Sequence, residues 1–220
     1  MRKIVETDLG TTIFGAGTLD KEHCALAMRF APVVVAADGG VNAAHNLGVQ
    51  SVAVIGDLDS VSVTGTDPAT THRITEQDST DFEKCVYSVE APFLVAVGVG
   101  GPRLDHTLAA FNVLVRYKDR RIFLLAGDDL IFLAPPDLKL DLAEGTRVSL
   151  FPMTAARGQS TGLRWPIAGL ALAPDGRIGT SNSAEGPVHL RFQSGAVLII
   201  LPWQCLPEVI SAFGLSNSAH

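Results

Sequence analysis

Two aspartates separated by a single residue are the feature of this sequence that most clearly suggests chemistry. Asp57 and Asp59 follow the apolar run at residues 52–55, which is typical of a buried parallel strand that ends near Gly56. In an extended segment this spacing points both carboxylates to the same side. Like charges held together favour a bound cation, and Mg²⁺ is the hard divalent ion that suits oxygen ligands. A polar turn after the strand is the alternative interpretation, because Asp and Ser favour such turns.

The composition limits the partners that this chain is expected to have. Its 220 residues are 47% hydrophobic and 18% charged, which is typical of a soluble globular protein with one large or two small domains. A net charge of −6 argues against a nucleic-acid surface, and no apolar run is long enough to span a membrane. The three cysteines form no C-x-x-C pair, and the first residues lack the apolar core of a signal peptide. We therefore expect a cytoplasmic protein with neither a zinc site nor disulfide bonds.

Strand and helix signals alternate in the first part of the chain and give way to a different pattern after two prolines at residues 135–136. The alternation predicts an open, mainly parallel α/β sheet in an N-terminal domain at residues 1–134. Beyond the prolines, two-residue alternation and turn signals predict an all-β unit at residues 138–220.

Two helices near the predicted sheet edge have recognisable starts. Thr80 and Glu83 have the spacing of a capping box, which predicts a helix that carries Asp81 in its first turn and buries Phe82, Val86 and Val89. A later helix is predicted with Asp105 as its N-cap and with an apolar face formed by Leu104, Leu108, Phe111 and Val115.

Acidic residues recur just after successive predicted strands, so the fold should gather them at one edge of the sheet. They are Asp38, the pair Asp57 and Asp59, the pair Asp78 and Asp81, and Asp105. Acids beside glycine-rich loops suit a metal-dependent phosphoryl-type transfer. Lys84 and Arg103 could supply positive charge, although surface solvation or a helix ion pair would explain them equally simply. The chain contains no P-loop motif, and the lack of G-x-G-x-x-G after a strand weakens a dinucleotide interpretation.

Two further residues allow two interpretations each. His106 could act as a general base, but a first-turn helix residue is the simpler reading. Trp165 could fill the core of the β unit, or its indole could stack on a flat or cationic ligand.

Six segments, taken in order, resemble the thiamine pyrophosphokinase (thiamine diphosphokinase) family. They are residues 37–42 (ADGGVN), 55–60 (IGDLDS), 77–85 (QDSTDFEKC), 100–107 (GGPRLDHT), 161–166 (TGLRWP) and 180–182 (TSN). Leu58 replaces the family's usual Phe, and Pro102 interrupts the glycine segment. The resemblance implies an α/β catalytic domain, a C-terminal β-sandwich that binds thiamine, and a homodimer with sites at the subunit interface.

The resemblance also implies an activity and a set of site residues. The activity is transfer of a diphosphoryl group from ATP to the hydroxyl of thiamine, with Mg²⁺ bound and AMP released. The implied catalytic acids are Asp57, Asp59, Asp81 and Asp105, of which the first three would also hold the metal. The implied ATP-binding residues are Asp38, Gly39, Gly40, Asn42, Ser60, Asp78, Thr80, Lys84 and Arg103. The implied thiamine-binding residues are Trp165, Thr180, Ser181 and Asn182.

Two other functions are alternatives. One is a pyrophosphokinase for another heterocyclic alcohol, such as a hydroxymethylpterin. The other is a module that binds a nucleotide or thiamine phosphate without catalysis. The segments at residues 163–166 and 181–182 favour thiamine over both.

Overall fold

The computed structural model describes residues 3–62, 70–101 and 103–215. These residues form two compact units, 3–127 and 128–215, within a mixed α/β fold. Pro102 lies outside the described residues, as do residues 63–69, which form most of a polar stretch at residues 61–71 for which the sequence predicts a loop. Among the described helices, none is long and apolar enough to cross a membrane.

The first unit combines short parallel strands with helices. Its strands are β1 (Val5–Glu6), β2 (Thr11–Phe14), β3 (Val33–Ala37), β4 (Ala53–Gly56), β5 (Thr71–Arg73), β6 (Val89–Glu90), β7 (Leu94–Val97) and β8 (Ile122–Ala126). Its helices are α1 (Lys21–Phe30), α2 (Gly40–Asn46), α3 (Asp81–Ser88) and α4 (Leu104–Arg116).

Every ladder between these strands is parallel. β7 pairs with β2 and β8, β4 pairs with β3 and β5, and β1 pairs with β6. Strands β2, β4 and β7 are buried along their whole length, as expected where both faces of a parallel sheet are covered. Because β3 and β4 run side by side in the same direction, the residues that follow Ala37 and Gly56 emerge at the same edge.

The predicted start of helix α3 is confirmed. The side chain of Thr80 caps the helix by accepting a hydrogen bond of 3.2 Å from the backbone N–H of Glu83. Glu83 itself is buried and forms an ion pair of 2.6 Å with Arg116, and it accepts a hydrogen bond from Tyr117, so it anchors α3 to the end of α4. Asp81 lies in the first turn, as predicted.

The prediction for helix α4 is wrong in two respects. The residue that precedes the helix is Arg103, and Asp105 lies inside the first turn, where it pairs with Arg103 at 2.6 Å. The buried face carries Ala110, Val113 and Leu114, whereas Leu104 and Leu108 are 67% and 55% exposed. With 3.6 residues per turn, the two leucines fall on a different side of the helix from these three residues, so their spacing marked the wrong face.

The second unit is built from antiparallel strands. They are β9 (Asp129–Leu133), β10 (Asp137–Leu140), β11 (Arg147–Pro152), β12 (Ala156–Leu163), β13 (Ala171–Leu172), β14 (Gly179–Ser194) and β15 (Val197–Pro202). A helix α5 (Leu206–Ala212), which the sequence did not predict, follows them.

The long strand β14 organises this unit. Its first part pairs with β11, and its second part pairs with β10 and β12. Buried residues alternate along it at Asn182, Ala184, Val188 and Leu190, which is the two-residue period of a strand with one face in the core. β9 pairs with β15 in this unit, although the sequence placed residues 130–133 in the first half. The predicted domain limits at 134 and 138 stay a prediction.

Candidate active site

Three carboxylates from three different elements meet at the sheet edge of the first unit. Asp38 directly follows β3, Asp57 directly follows β4, and Asp81 opens helix α3. One oxygen from each lies within 4.8 Å of the others, so these residues could hold a metal ion together. The parallel pairing of β3 with β4 explains why the first two acids are neighbours.

Asp38 is the least hydrated member of the group. Its side chain is only 5% exposed, and its Oδ1 is buried without a hydrogen-bond partner. Burial raises the pKa of this carboxyl, and the negative charges of Asp81 and Asp59 act in the same direction. A buried carboxylate oxygen without a donor is costly unless a cation meets it. The donor set therefore fits a hard divalent ion such as Mg²⁺.

Gly56 gives the acids the space to converge. A Cβ atom at this position would lie 2.8 Å from the Cβ of Asp38 and 3.1 Å from Oδ1 of Asp81. Any larger residue would therefore push two of the three carboxylates apart. The sequence analysis saw Gly56 only as the end of a strand.

The structure separates Asp57 from its sequence neighbour Asp59. Strand β4 ends at Gly56, and Leu58 adopts a left-handed conformation with φ of 66°, so the alternation of an extended chain does not apply here. Asp59 is exposed and accepts a hydrogen bond of 2.7 Å from Ser60, and it is absent from the described three-acid group. Asp38 takes the place in the group that the sequence had predicted for Asp59.

A buried lysine compensates part of the negative charge. Lys84 is 2% exposed, and its Nζ lies 3.0 Å from Oδ1 of Asp81, one turn along α3. A buried ammonium group is tolerated only when it is paired, so this contact fixes the side chain of Lys84 within the site. Asp57 instead accepts a hydrogen bond from the side chain of Gln77. This bond is the main cause that lowers the pKa of Asp57.

The acids open into a cleft of about 690 Å³ within the first unit. Two glycine-containing loops line it, at residues 15–18 and 98–101, and a Cβ at Gly17 would collide with the backbone of Gly98 and Gly100. Their backbones can therefore pack closely, as phosphate-binding loops require. Other residues predicted for the site also line the cleft, namely Ser60, Thr80, Lys84 and Arg103. His106, for which the sequence allowed two interpretations, lines it as well.

Some predicted site residues lie elsewhere in the described chain. Those that do not line the cleft are Gly39, Gly40, Asn42, Asp59, Asp78 and Asp105. Asn42 uses both ends of its amide to hold the loop after the acidic motif, donating to Ser60 O and accepting from Ser62 N. Asp78 lines a separate cavity of the same unit.

The sequence analysis missed two contributors to the cleft. The loop at residues 15–18 follows strand β2, but its sequence has no motif that distinguishes it from an ordinary glycine turn. Gln77, which bonds to Asp57 at 3.3 Å, opens the segment at residues 77–85 that resembles the family, but the sequence assigned it no role.

The residues predicted to bind thiamine lie in the second unit. The indole of Trp165 is 55% exposed, and the guanidinium of Arg164 lies 5.0 Å from the ring centroid. Asn182 is buried and clamps the Trp165 backbone, since Oδ1 accepts from Trp165 N at 3.1 Å and Nδ2 donates to Trp165 O at 2.7 Å. These bonds make Asn182 a residue that positions the tryptophan.

Next to Asn182, Thr180 and Ser181 are exposed on β14. Ser181 has φ of 59°, and its backbone N–H donates to Ser149 Oγ at 3.0 Å. The segment at residues 180–182 is therefore attached to the Trp165 loop through Asn182 and to β11 through Ser149.

These features define an α/β protein with an acidic cleft that could hold a cation, and sequence comparison gives its family. Residues 24–125 match the family model described as "Thiamin pyrophosphokinase, catalytic domain", and residues 137–197 match "Thiamin pyrophosphokinase, vitamin B1 binding domain". Together the two matches cover more than half of the chain. The chain belongs to the thiamin pyrophosphokinase family.

Individual relatives agree with this assignment. The chain is 34% identical over 126 residues to "Thiamine pyrophosphokinase 1" of Oryza sativa subsp. japonica, a match over 50% of this chain and 48% of that protein. The protein of the same name from Arabidopsis thaliana is 33% identical over 123 residues, 49% of this chain and 46% of that one. The chain thus spans about half the length of these relatives.

A solved structure has the same fold. The crystal structure of Thiamin pyrophosphokinase from Geobacillus thermodenitrificans superposes with a TM-score of 0.75 at 21% identity, covering 88% of this chain and 97% of that chain. At this identity the likeness concerns the fold alone.

The three-acid group leads to a prediction about cation binding. We expect Asp38→Asn, Asp57→Asn and Asp81→Asn each to weaken Mn²⁺ binding by about tenfold or more, because each replaces a charged carboxylate ligand with a neutral amide. Electron paramagnetic resonance of free Mn²⁺ during a titration measures the affinity. Asp119→Asn, an exposed acid in the turn after α4, is the matched control and should bind as the wild type does. If Asp59→Asn weakened binding as much as Asp57→Asn and Asp81→Asn did, and Asp38→Asn did not, the sequence pairing of Asp57 with Asp59 would be right and the structural grouping wrong.

The Asn182 clamp leads to a second prediction. Asn182→Ala leaves the N–H and C=O of Trp165 without these partners, so we expect a loss of about 1–3 kcal/mol in the free energy of unfolding. In a Trp203→Phe background, which leaves Trp165 as the single tryptophan of the two, its fluorescence should also become more easily quenched by acrylamide. Asn46→Ala, at an exposed asparagine of α2, is the control. Unchanged stability and quenching in Asn182→Ala would show that the clamp does not hold the loop.

Proposed function

We propose that this protein transfers a diphosphoryl group from ATP to the hydroxyl of thiamine in a Mg²⁺-dependent reaction that gives thiamine diphosphate and AMP. The observation that carries the proposal is the convergence of Asp38, Asp57 and Asp81 in a cleft lined by two glycine loops and a buried lysine. Family membership supplies the expected acceptor, because the second matched model is that of a vitamin B1 binding domain.

Asp38, Asp57 and Asp81 would hold the magnesium ion. When bound, the ion offsets negative charge on the phosphate oxygens of the transferred group. Oδ1 of Asp38 is free to coordinate, and Gln77 orients Asp57 by its hydrogen bond. The role of Asp59 and Asp105 as additional catalytic acids stays a prediction from the family resemblance.

The other groups of the cleft suit a polyphosphate. Backbone N–H groups of the two glycine loops can approach phosphate oxygens closely. Lys84 brings a positive charge that is already desolvated, so its attraction for phosphate is little screened by water. Arg103 lines the cleft with 71% of its side chain exposed, and it would have to exchange its contact with Asp105 for a phosphate contact.

The second unit offers the acceptor site. The exposed face of Trp165 would stack on a ring of thiamine, and Thr180 and Ser181 present exposed polar groups on the adjoining strand. In this assignment Asn182 acts indirectly, by holding the tryptophan. One aspartate of the cleft would accept the proton of the attacking hydroxyl.

We further propose that an N-terminal α/β domain of the open, mainly parallel type binds ATP and Mg²⁺ and that a C-terminal β-sandwich binds thiamine and forms the homodimer. Sites at the subunit interface are what the family resemblance implies. A cytoplasmic location and the absence of nucleic-acid and membrane partners stay predictions from composition.

The activity is tested by measuring AMP released from ATP and Mg²⁺ with and without thiamine. We expect AMP release to require thiamine and to match thiamine diphosphate formation in amount. Asp57→Ala and Asp81→Ala should each reduce turnover by about 10²-fold or more, because they remove metal-based stabilisation of developing charge.

Other outcomes would redirect the assignment. AMP release only with a hydroxymethylpterin or another alcohol would keep the chemistry and change the acceptor. Binding of ATP or thiamine without AMP from any acceptor would favour a binding module. Near-normal turnover in both aspartate variants would contradict the role of the acidic cleft.

Shared sites at a dimer interface predict complementation between subunits. Asp57→Ala damages the acidic cleft, Trp165→Ala damages the acceptor site, and each variant alone should be nearly inactive. In a statistical mixture half of the dimers are mixed, and each mixed dimer would regain one intact site, which restores about a quarter of wild-type activity. The variants are refolded together and assayed against each variant refolded alone. No recovery, despite mass spectrometry showing mixed dimers, would place both parts of the site within one chain.

A further inference from the structure

The carboxylate of Glu76 gathers four hydrogen bonds from the turn that precedes α3 and from α3 itself. Its Oε2 accepts from the backbone N–H groups of Asp78 at 2.7 Å and Ser79 at 3.1 Å. Its Oε1 accepts from the hydroxyl of Tyr87 at 3.1 Å and from Ser79 Oγ in a short contact. One oxygen therefore fixes the turn, and the other ties the turn to the helix.

This turn connects directly to residues of the acidic cleft. Gln77 lies between Glu76 and Asp78 in the sequence, and its side chain donates a hydrogen bond to Asp57. Ser79 lines the cleft, Thr80 caps α3, and Asp81 follows as a member of the three-acid group. A shift of the turn would therefore move both the donor to Asp57 and the start of the helix that carries Asp81.

The hydrogen bonds that Glu76 accepts leave its carboxylate without a free position for a metal ion. An ionised carboxylate offers about four acceptor sites, and four donors already occupy those of Glu76. The hydrogen bond from Ser79 is the main cause that lowers its pKa, so it remains a charged acceptor at neutral pH. Burial and the bond to Glu76 raise the pKa of Tyr87 to about 12, so the phenol keeps the proton that it donates.

We propose that Glu76 is a positioning residue: together with Tyr87 it fixes the turn at residues 76–79 and thereby holds Gln77 and Asp81 in the geometry that binds the cation. The proposal rests on the proposed function, because it assumes that the acidic cleft binds a divalent ion. Neither residue would touch the substrates or the metal.

The test compares Mn²⁺ affinity, measured by electron paramagnetic resonance with and without a non-hydrolysable ATP analogue, in the full-length protein. Glu76→Ala removes all four bonds, and we expect Mn²⁺ affinity to fall by about tenfold or more, as for other supporting residues of metal sites. Glu76→Gln can present its carbonyl to the two N–H groups and its amide to Ser79 and Tyr87, so affinity should stay within about threefold of wild type. Tyr87→Phe, which loses only the link to α3, should fall between them.

The variants also separate positioning from other roles. A purely structural role predicts that Glu76→Ala lowers the thermal unfolding midpoint while folded protein binds Mn²⁺ as the wild type does, and this result would overturn the proposal. A purely electrostatic role predicts that Glu76→Gln loses as much affinity as Glu76→Ala, which would also overturn it. Glu90→Ala, at an exposed acid of β6 that pairs with Lys3, controls for the loss of one carboxylate from the same unit.

Failure of the proposed function would look different. If the wild-type protein bound no Mn²⁺ and released no AMP, the acidic cleft itself would lack the proposed role. If the wild type bound Mn²⁺ and all Glu76 and Tyr87 variants matched it, only the positioning role would fail.

Discussion

The convergence of three carboxylates is the constraint on which the rest of the first unit depends. Asp38, Asp57 and Asp81 repel one another, and Asp38 is also removed from water. The fold brings the carboxylates together because the paired parallel strands β3 and β4 end beside one another. Gly56 has no side chain, which leaves space for the carboxylates of Asp38 and Asp81. The start of helix α3 and the ammonium group of Lys84 stabilise Asp81. The site thus retains an unbalanced negative charge, which a divalent cation would neutralise.

Backbone strain coincides with segments that resemble the family. Among the described residues, the non-glycine residues with positive φ are Asp38, Leu58 and Ser181, and each lies in a segment that resembles the family. Asp and Ser are short polar residues, but a leucine in the left-handed region costs roughly 1–2 kcal/mol. Such strain persists where the surrounding structure determines it, most often at functional sites. At Leu58 the strain turns the chain sharply after Asp57, which keeps Asp57 in the group and directs Asp59 away from it.

The sequence predicted the parts of the fold that depend on local signals. The apolar run of β4 and the Thr80 cap of α3 were located correctly, because burial and capping leave direct traces in residue type. The sequence did not predict that Asp59 points away from Asp57, because the left-handed turn at Leu58 has no such trace, and the metal-binding role of Asp59 stays a prediction. The buried face of α4 was wrong because which side meets the sheet depends on tertiary packing, and Leu104 and Leu108 remain exposed. The partnership of Asp38 with Asp57 needed the β3–β4 pairing, which residue spacing cannot specify.

Polar residues in and beside the segments that resemble the family differ in whether their side chains already have hydrogen-bond partners. The side chains of Asn42, Glu76 and Asn182 are engaged with backbone groups of neighbouring loops, so binding a ligand through them would first require those bonds to break. Oδ1 of Asp38 has no hydrogen-bond partner among the described residues, and the indole of Trp165 is 55% exposed beside the guanidinium of Arg164, so both retain surface for a ligand. An unsatisfied buried oxygen raises the free energy of the empty site. A bound cation would interact with this oxygen and offset the cost of removing Asp38 from water. Asn42 contributes to this, because its two hydrogen bonds fix the loop at residues 60–62, and Ser60 of that loop bonds to the Asp38 carboxylate.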